Sequence, residues 1–313
     1  MRVIVVAIAA ALLAGCGSSG SLPAQAPPAL PKAAPEPIQV SNGPIIIGPG
    51  PTPLAVKLNA VDRIRIPFQR PPRAGLLFDL DTGRVLWRRN PSRILPIASL
   101  TKMMTALIVA ANTRPAEMVH ITKEARQAPG SRVGLLPKRK PVRVESLLYG
   151  LLLPSGNDAA HALADKVSGS SRSFVMAMNA QAQKMSLGCT HYTSPDGFID
   201  AGNHSCAIDL AALARAVLDQ PRLAKIVGSR SAVLKFPTKG GKLYLFNNNP
   251  LLRTGYPGTI GVKTGYTDAA GRCLVAAVRR NGHRLGVVLL HSYDPGTQAR
   301  KLLDRGFRAM RRG

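Results

Sequence analysis

Apolar positions recur along the chain in two rhythms. Short β-rich runs at Ala74–Asp79 and Arg84–Arg89 flank Leu80-Asp81-Thr82-Gly83, which predicts two strands joined by a hairpin turn. Apolar residues at helical spacing then predict helices over Ser99–Ala111, Glu145–Leu153, Asn157–Val167, Ser173–Met185 and Ala207–Leu218. Strand patterns return at Gly261–Thr264, Cys273–Arg280 and Arg284–His291, and a helix over Thr297–Met310 closes the chain. Strands at both ends with helices between them predict one mixed sheet covered by a helical insert, an α/β or α+β fold.

Upstream the pattern changes. Met1-Arg2 precedes an unbroken apolar run, Val3 to Leu13. A run of this length is too short to span a bilayer, which needs about 20 residues, and matches the apolar core of a signal peptide. Leu13-Ala14-Gly15-Cys16 resembles the bacterial lipobox, in which the cysteine becomes the lipidated first residue. Each buried methylene contributes about 0.8 kcal/mol, so two or more acyl chains at Cys16 give a stable anchor. Residues 17–72 hold 13 of the 26 prolines and read as an extended tether with a reach on the order of 170 Å. Within it, Val56–Phe68 is more apolar and is a candidate to rest on the domain. The expected organisation is a lipoprotein signal peptide over 1–16, the tether over 17–72, a catalytic domain over 73–307 and a basic tail over 308–313.

Composition narrows the classes. The 313 residues are 45% hydrophobic, enough for a real core, which excludes a fully disordered chain. Lysine and arginine number 42 against 16 acidic residues, a formal charge of +26. Such an excess first suggests nucleic acid. Aromatics are only 4%, the basic residues are scattered, and an exported chain does not meet the genome, so nucleic acid is not an expected partner. The densest basic cluster is Arg300, Lys301, Arg305, Arg308, Arg311 and Arg312, either a solvated helix end or a contact for anionic wall polymer or lipid headgroups. No cysteine pair has CxxC spacing and no histidine pair has HxxH spacing, so no metal is expected. Outside the cytoplasm, Cys189 and Cys206 are a possible disulfide closing 17 residues, and Cys273 reads as a buried thiol.

Three short motifs carry chemistry: Ser99-Leu100-Thr101-Lys102, then Ser155-Gly156-Asn157, then Lys263-Thr264-Gly265. Each is common alone; the ordered set is specific. Positions i and i+3 share a helix face, so the Lys102 amine reaches the Ser99 hydroxyl. Serine is a poor nucleophile without a base. Lysine is a base at neutral pH only when burial or a neighbouring cation lowers its pKa, and Lys263 is a candidate for that cation. Amides at the start of the Ser99 helix and just past Gly265 are candidates for an oxyanion hole. Asp81-Thr82-Gly83 also resembles an aspartic-protease loop, but the second loop such an enzyme requires is missing.

From Ala74 to Phe307 the sequence resembles the D-alanyl-D-alanine carboxypeptidases, the low-molecular-mass penicillin-binding proteins. Beyond the three motifs, the likeness rests on Phe78–Gly83, Leu147–Ala160, Asn247-Asn248-Asn249 with Leu251-Leu252, and Gly261–Thr267. The resemblance implies a β-lactamase/DD-peptidase-like fold, a mixed sheet flanked by helices plus an all-helical subdomain. It implies removal of the terminal D-alanine from peptidoglycan stem peptides, β-lactams as covalent inhibitors, and no cofactor. By position, Ser99 is the acylated nucleophile and Lys102 its base. Ser155 relays a proton to the leaving group, and Asn157 positions Lys102 and the substrate. Lys263 and Thr264 hold the terminal carboxylate, and the amides of Ser99 and Tyr266, the latter just past Gly265, bind the oxyanion.

There are departures. The loop from His291 to Thr297 lacks the cation that some relatives place there, which leaves the carboxylate to Lys263 and Thr264, or to Arg300 reaching back. Many relatives carry a second domain and a C-terminal anchor; here the N-terminal lipid is expected to replace that anchor, on a membrane the sequence does not identify. An endopeptidase of the same family shares every motif. A serine β-lactamase requires a deacylating glutamate, and none of Glu36, Glu117, Glu124 and Glu145 follows Asn157. A non-catalytic wall-binding lipoprotein would be expected to lose Ser99 or Lys102.

Overall fold

The computed structural model describes residues 54–59, 61–134, 136–199 and 201–311. The leader, the lipobox Cys16 and the tether up to residue 53 lie outside the described residues.

The chain begins its sheet with β1 (Ala74–Asp79) and β2 (Val85–Arg89). The helical insert follows: β3 (Leu95–Pro96), a 3-10 turn over Ala98–Thr101, α1 (Lys102–Asn112), β4 (Met118–Val119), α2 (Lys123–Gln127), β5 (Val142–Arg143), α3 (Val144–Leu152), α4 (Asn157–Ser168), α5 (Ser171–Lys184), β6 (His204–Ser205), α6 (Ala207–Asp219) and α7 (Pro221–Gly228). A separate hairpin, β7 (Ser231–Lys235) and β8 (Lys242–Phe246), and the short α8 (Pro250–Arg253) lead back to β9 (Thr259–Thr267), β10 (Gly271–Arg280), β11 (His283–Ser292) and α9 (Pro295–Met310).

The main sheet has the order β2-β1-β11-β10-β9. All its pairings are antiparallel, where the sequence pattern suggested a mixed sheet. The reason is connectivity: β1–β2, β9–β10 and β10–β11 are joined by tight turns, and such turns give only antiparallel neighbours. Chain ends meet where β1 pairs with β11, Ala74 opposite Leu290 through Asp79 opposite Leu285.

Alternation divides the sheet between two cores. Leu274, Ala276 and Val278 join Leu77, Leu285, Val287 and Leu289 against α9, which buries Ala299, Leu302, Leu303 and Phe307. Cys273, Val275, Ala277, Val288 and Leu290 face the other way, into the larger core with α6 and the insert. Cys273 is buried, its Sγ 3.5 Å from the Ala270 carbonyl. Helix ends carry their own signals. Asp294 caps α9 by accepting from Thr297 N (3.1 Å), with Pro295 at its first position. α9 continues to Met310, so Arg308 is part of the helix.

Folded structure begins before residue 73. Val56 and Leu58 rest on the larger core and Ile64 is buried in the smaller one. Ile64 N donates to Leu86 O (3.1 Å), Asp62 pairs with Arg88 (3.2 Å), and Phe68 meets Trp87 edge-on at 6.1 Å.

Cys189 and Cys206 are disulfide-bonded, with Cα atoms 5.6 Å apart. The one group of three potential metal ligands among the described residues is this pair with Asp209. Its sulfurs are spent on each other, and the Asp209 carboxylate accepts from Cys189 N (2.8 Å) and Thr190 Oγ1 (2.7 Å). Closing a loop of 17 residues stabilises by about 3 kcal/mol in the chain-entropy account. Cys189→Ser with Cys206→Ser should therefore lower Tm by on the order of 10 °C, measured by thermal melting. An unchanged Tm would show that the loop is held without the bond.

Candidate active site

The Ser99 segment enters the site through strained backbone. Ala98, the first residue of the 3-10 turn that carries Ser99, adopts a left-handed conformation, φ 48°. The sequence reading extended the α-helix to Ser99, whereas α1 begins at Lys102. A 3-10 turn still brings residues i and i+3 together, so the pair survives the change. Gly197, at φ +73°, lets the opposing loop close on the Ala98 carbonyl and Thr101 Oγ1, which a side chain would strike.

Lys102 is fully buried, and its ammonium nitrogen has three acceptors for three N–H bonds. These are Ser99 Oγ at 2.8 Å, Asn157 Oδ1 at 2.7 Å and the Asp196 carbonyl at 2.9 Å. Burial lowers its pKa to about 8, against the opposing charges of Asp196 and Asp158, which raise it. The expectation that Lys263 would depress Lys102 is corrected: burial does so. Lys263 is itself held well below the ordinary lysine value, first by burial and then by the charge of Lys102.

Asn157 opens α4 and is fixed from two sides. Its Nδ2 donates to Pro129 O (2.5 Å) and its backbone N to Ser131 O (2.7 Å). Its amide is thereby oriented with Oδ1 toward Lys102. The buried Asp158 carboxylate accepts from Val133 N and Ala159 N (both 2.9 Å) and Gly134 N (3.2 Å), tying the 129–134 loop to the start of α4. Ser155, buried in a left-handed conformation at φ 71°, accepts from Lys263 Nζ (2.9 Å), which also donates to Thr264 O (2.8 Å). Two left-handed non-glycine residues, Ala98 beside Ser99 and Ser155 itself, mark strain gathered at one site.

β9 is an edge strand, and Gly265 lets it lie against the Ser99 turn. A Cβ there would sit 2.9 Å from Ile97 O and 3.1 Å from Ser99 N. The amides of Ser99 and of the segment following Gly265 are thus brought to one edge. Thr264 is half-buried, while Tyr266 is 63% exposed, its hydroxyl donating to Asp268 (2.9 Å). Arg300 does not reach back: its Nη2 donates to Thr297 Oγ1 on its own helix (3.4 Å). Arg272 stands opposite Tyr266 across β9 and β10, exposed, with Nη1 donating to Tyr293 O (3.0 Å).

Ser99, Lys102, Ser155, Asn157, Lys263, Thr264 and Gly265 therefore share one cleft between the sheet edge and the insert, with Tyr266 at its rim. Cys189 and Cys206 are joined elsewhere on the insert, within the same loop-bearing segment as Asp196. Sequence reasoning missed Asp196. Burial pushes its carboxyl up, but the His161 hydrogen bond, the Lys102 charge, Phe198 N and Ser194 Oγ outweigh this and hold it down to about 2. His161 lies one turn along α4 from Asn157 and also reaches Ser171 Oγ (2.8 Å). The local signal was only Ser194-Pro195-Asp196-Gly197, which reads as a turn.

The family model for D-alanyl-D-alanine carboxypeptidase matches residues 69–293. The chain belongs to the D-alanyl-D-alanine carboxypeptidase family. It is 36% identical over 245 residues to the D-alanyl-D-alanine carboxypeptidase DacB2 of Mycobacterium tuberculosis, covering 76% of this chain and 82% of that protein. It is 33% identical over 243 residues to the D-alanyl-D-alanine carboxypeptidase DacF of Bacillus subtilis, covering 75% of this chain but only 62% of that longer relative. The solved structure of the Streptomyces K15 DD-transpeptidase superposes with a TM-score of 0.72 at 33% identity, covering 78% of this chain and all of that one.

Within this family site, the Asp196 carboxylate exerts the larger of the two charge effects that raise the Lys102 pKa, ahead of Asp158. Asp196→Asn should move the midpoint for β-lactam acylation of Ser99 below 8, measured as acylation rate against pH. An unmoved midpoint would show that Asp196 acts only through its backbone carbonyl.

Proposed function

We propose that this chain is a serine-type D-Ala-D-Ala carboxypeptidase acting on peptidoglycan stem peptides. The observation that carries the reading is the 2.8 Å bond between Ser99 Oγ and a fully buried Lys102.

In its neutral form Lys102 takes the hydroxyl proton as Ser99 Oγ attacks the carbonyl carbon of the penultimate D-alanine. Negative charge develops on the carbonyl oxygen and is met by the amides of Ser99 and Tyr266. Collapse breaks the peptide bond. The leaving amine takes a proton from Ser155 Oγ, which is replenished by Lys263 at 2.9 Å, and D-alanine departs. The proton held by Lys102 returns to Lys263 through solvent; water then attacks the Ser99 ester, neutral Lys102 accepts the water proton and passes it to Ser99 Oγ (2.8 Å), and the shortened peptide leaves. Asn157, held by Pro129 O, keeps Lys102 aimed throughout. The substrate carboxylate lies along Lys263 and Thr264. The exposed guanidinium of Arg272, opposite Tyr266 across β9 and β10, adds positive charge there.

The glutamates support this reading over a β-lactamase. Glu145 pairs with Arg222 (2.8 Å), and Glu117 with Lys166 (3.6 Å). Glu124 lies in the first turn of α2. The Asp196 carboxylate is fully engaged by His161, Ser194 and Phe198. Glu117, Glu145 and Asp196 are thus held by partners of their own and are not placed to activate water against a penicilloyl ester. We place the enzyme outside the cytoplasm, anchored to a membrane by lipid on Cys16. Among the described residues no helix is long and apolar enough to cross a membrane.

The test is fluorescent-penicillin labelling of the purified protein beside Ser99→Ala, followed by D-alanine release from a pentapeptide and cleavage of a cross-linked dimer. The expected result is a label that persists for hours, is absent in Ser99→Ala, and accompanies D-alanine release. Below pH 8 acylation should fall about tenfold per unit as Lys102 becomes protonated, and above 8 it should level. No label on folded protein would overturn the nucleophile. Rapid loss of label would indicate a β-lactamase, and dimer cleavage without D-alanine release an endopeptidase.

A further inference from the structure

The catalytic reading leaves the basic end of the chain unused. α9 runs antiparallel to β11 and ends beside the β10–β11 turn, where the Arg280 guanidinium lies over the Tyr256 ring at 4.3 Å and the Phe307 ring at 5.2 Å. Next to that end is a cavity of about 560 Å³ lined by Arg63, Ile64, Arg65, Arg305, Arg308 and Ala309. Its two walls are some 240 residues apart in sequence and are joined by Arg305 Nη1 donating to Arg65 O (3.1 Å).

All four arginines are exposed, and none has a carboxylate partner among the described residues. The nearby acids are engaged: Asp62 by Arg88 (3.2 Å), and Asp304 by Arg280 (3.6 Å) and the Tyr256 hydroxyl (2.6 Å). Four like charges converging on one concavity repel one another until an anion enters. Guanidinium is the side chain that best matches phosphate.

The site's place in the molecule favours a membrane over a soluble polymer. Arg63 and Arg65 stand on the segment through which the chain coming from the apolar run Val3–Leu13 joins the folded domain. Val61, two residues before Arg63, is 83% exposed and offers an apolar side chain beside the charges. The catalytic cleft is at the other end of the sheet. Arg272 pairs with Tyr266 and Ser292, while Arg280 pairs with His283 at the cavity end. Eight residue steps along β10, from Arg272 to Arg280, separate the two ends, about 26 Å of strand.

We propose that this arginine-lined face docks on a bilayer of anionic phospholipids, with headgroup phosphates among Arg63, Arg65, Arg305 and Arg308, so that the cleft faces away from the membrane. The binding is electrostatic, and salt weakens it.

The experiment uses residues 17–313, which carry no leader and no lipid, with vesicles of phosphatidylcholine alone or with an equal part of phosphatidylglycerol. Partition is measured by co-sedimentation at low and physiological salt. The protein should bind only the phosphatidylglycerol vesicles. Changing Arg63, Arg65, Arg305 and Arg308 to Gln should weaken binding by at least about tenfold, at roughly one headgroup interaction per arginine. Changing Lys138, Arg139, Lys140 and Arg143, exposed on the insert, to Gln removes the same charge and should leave most binding intact. Circular dichroism and Tm establish that both variants are folded. Equal loss in both variants, or no loss in the first, overturns the proposal. Arginine-dependent binding of inorganic polyphosphate without vesicle binding also overturns it and assigns the face to a soluble anionic polymer.

Discussion

The site depends on one buried ammonium group. Moving a lysine out of water disfavours its charged form, and the enzyme needs the neutral form. Burial alone would leave a polar group unsatisfied, so the fold supplies three acceptors from three places: the Ser99 turn, the start of α4 and the loop at Asp196. These acceptors are 3, 55 and 94 residues from Lys102 in sequence. The insert is folded tightly enough to hold all of them at hydrogen-bond distance around one nitrogen.

Much of the surrounding architecture follows from that demand. Asn157 presents its oxygen only because Pro129 takes its amide, and the Pro129 loop is tied down by Asp158. The Asp196 loop is closed by the disulfide behind it and by Gly197 fitting against Ala98. The sheet contributes the other wall, where Gly265 allows β9 to approach the Ser99 turn and Lys263 to reach Ser155. The two buried lysines lie close enough for the charge of Lys102 to depress Lys263, so the site disfavours both being charged at once.

The helices and principal strands were legible because each buries one face in a regular rhythm. Ser99–Lys102 was legible because i and i+3 meet within one turn, even though that turn is 3-10 and not α. The resemblance to the carboxypeptidases then gave roles to residues that spacing could only bring near one another. The antiparallel order was not legible, since it is set by which turns are tight. Short amphipathic pieces such as α7 and the β7–β8 hairpin were missed because few residues carry each pattern. The Asp196 and Pro129 carbonyls had no side-chain signature at all: their contribution is backbone, and it exists only once distant loops have met.

The central claim is that burial sets the charge of Lys102. The most direct measurement is an NMR titration of the Lys102 side chain, with its signal assigned by comparison with Lys102→Arg. The account predicts a midpoint near 8. A midpoint near the ordinary value of 10.5 would contradict it, because the neutral fraction of Lys102 at pH 7 would fall from about one in ten to below one in a thousand, and another group would have to take the Ser99 proton.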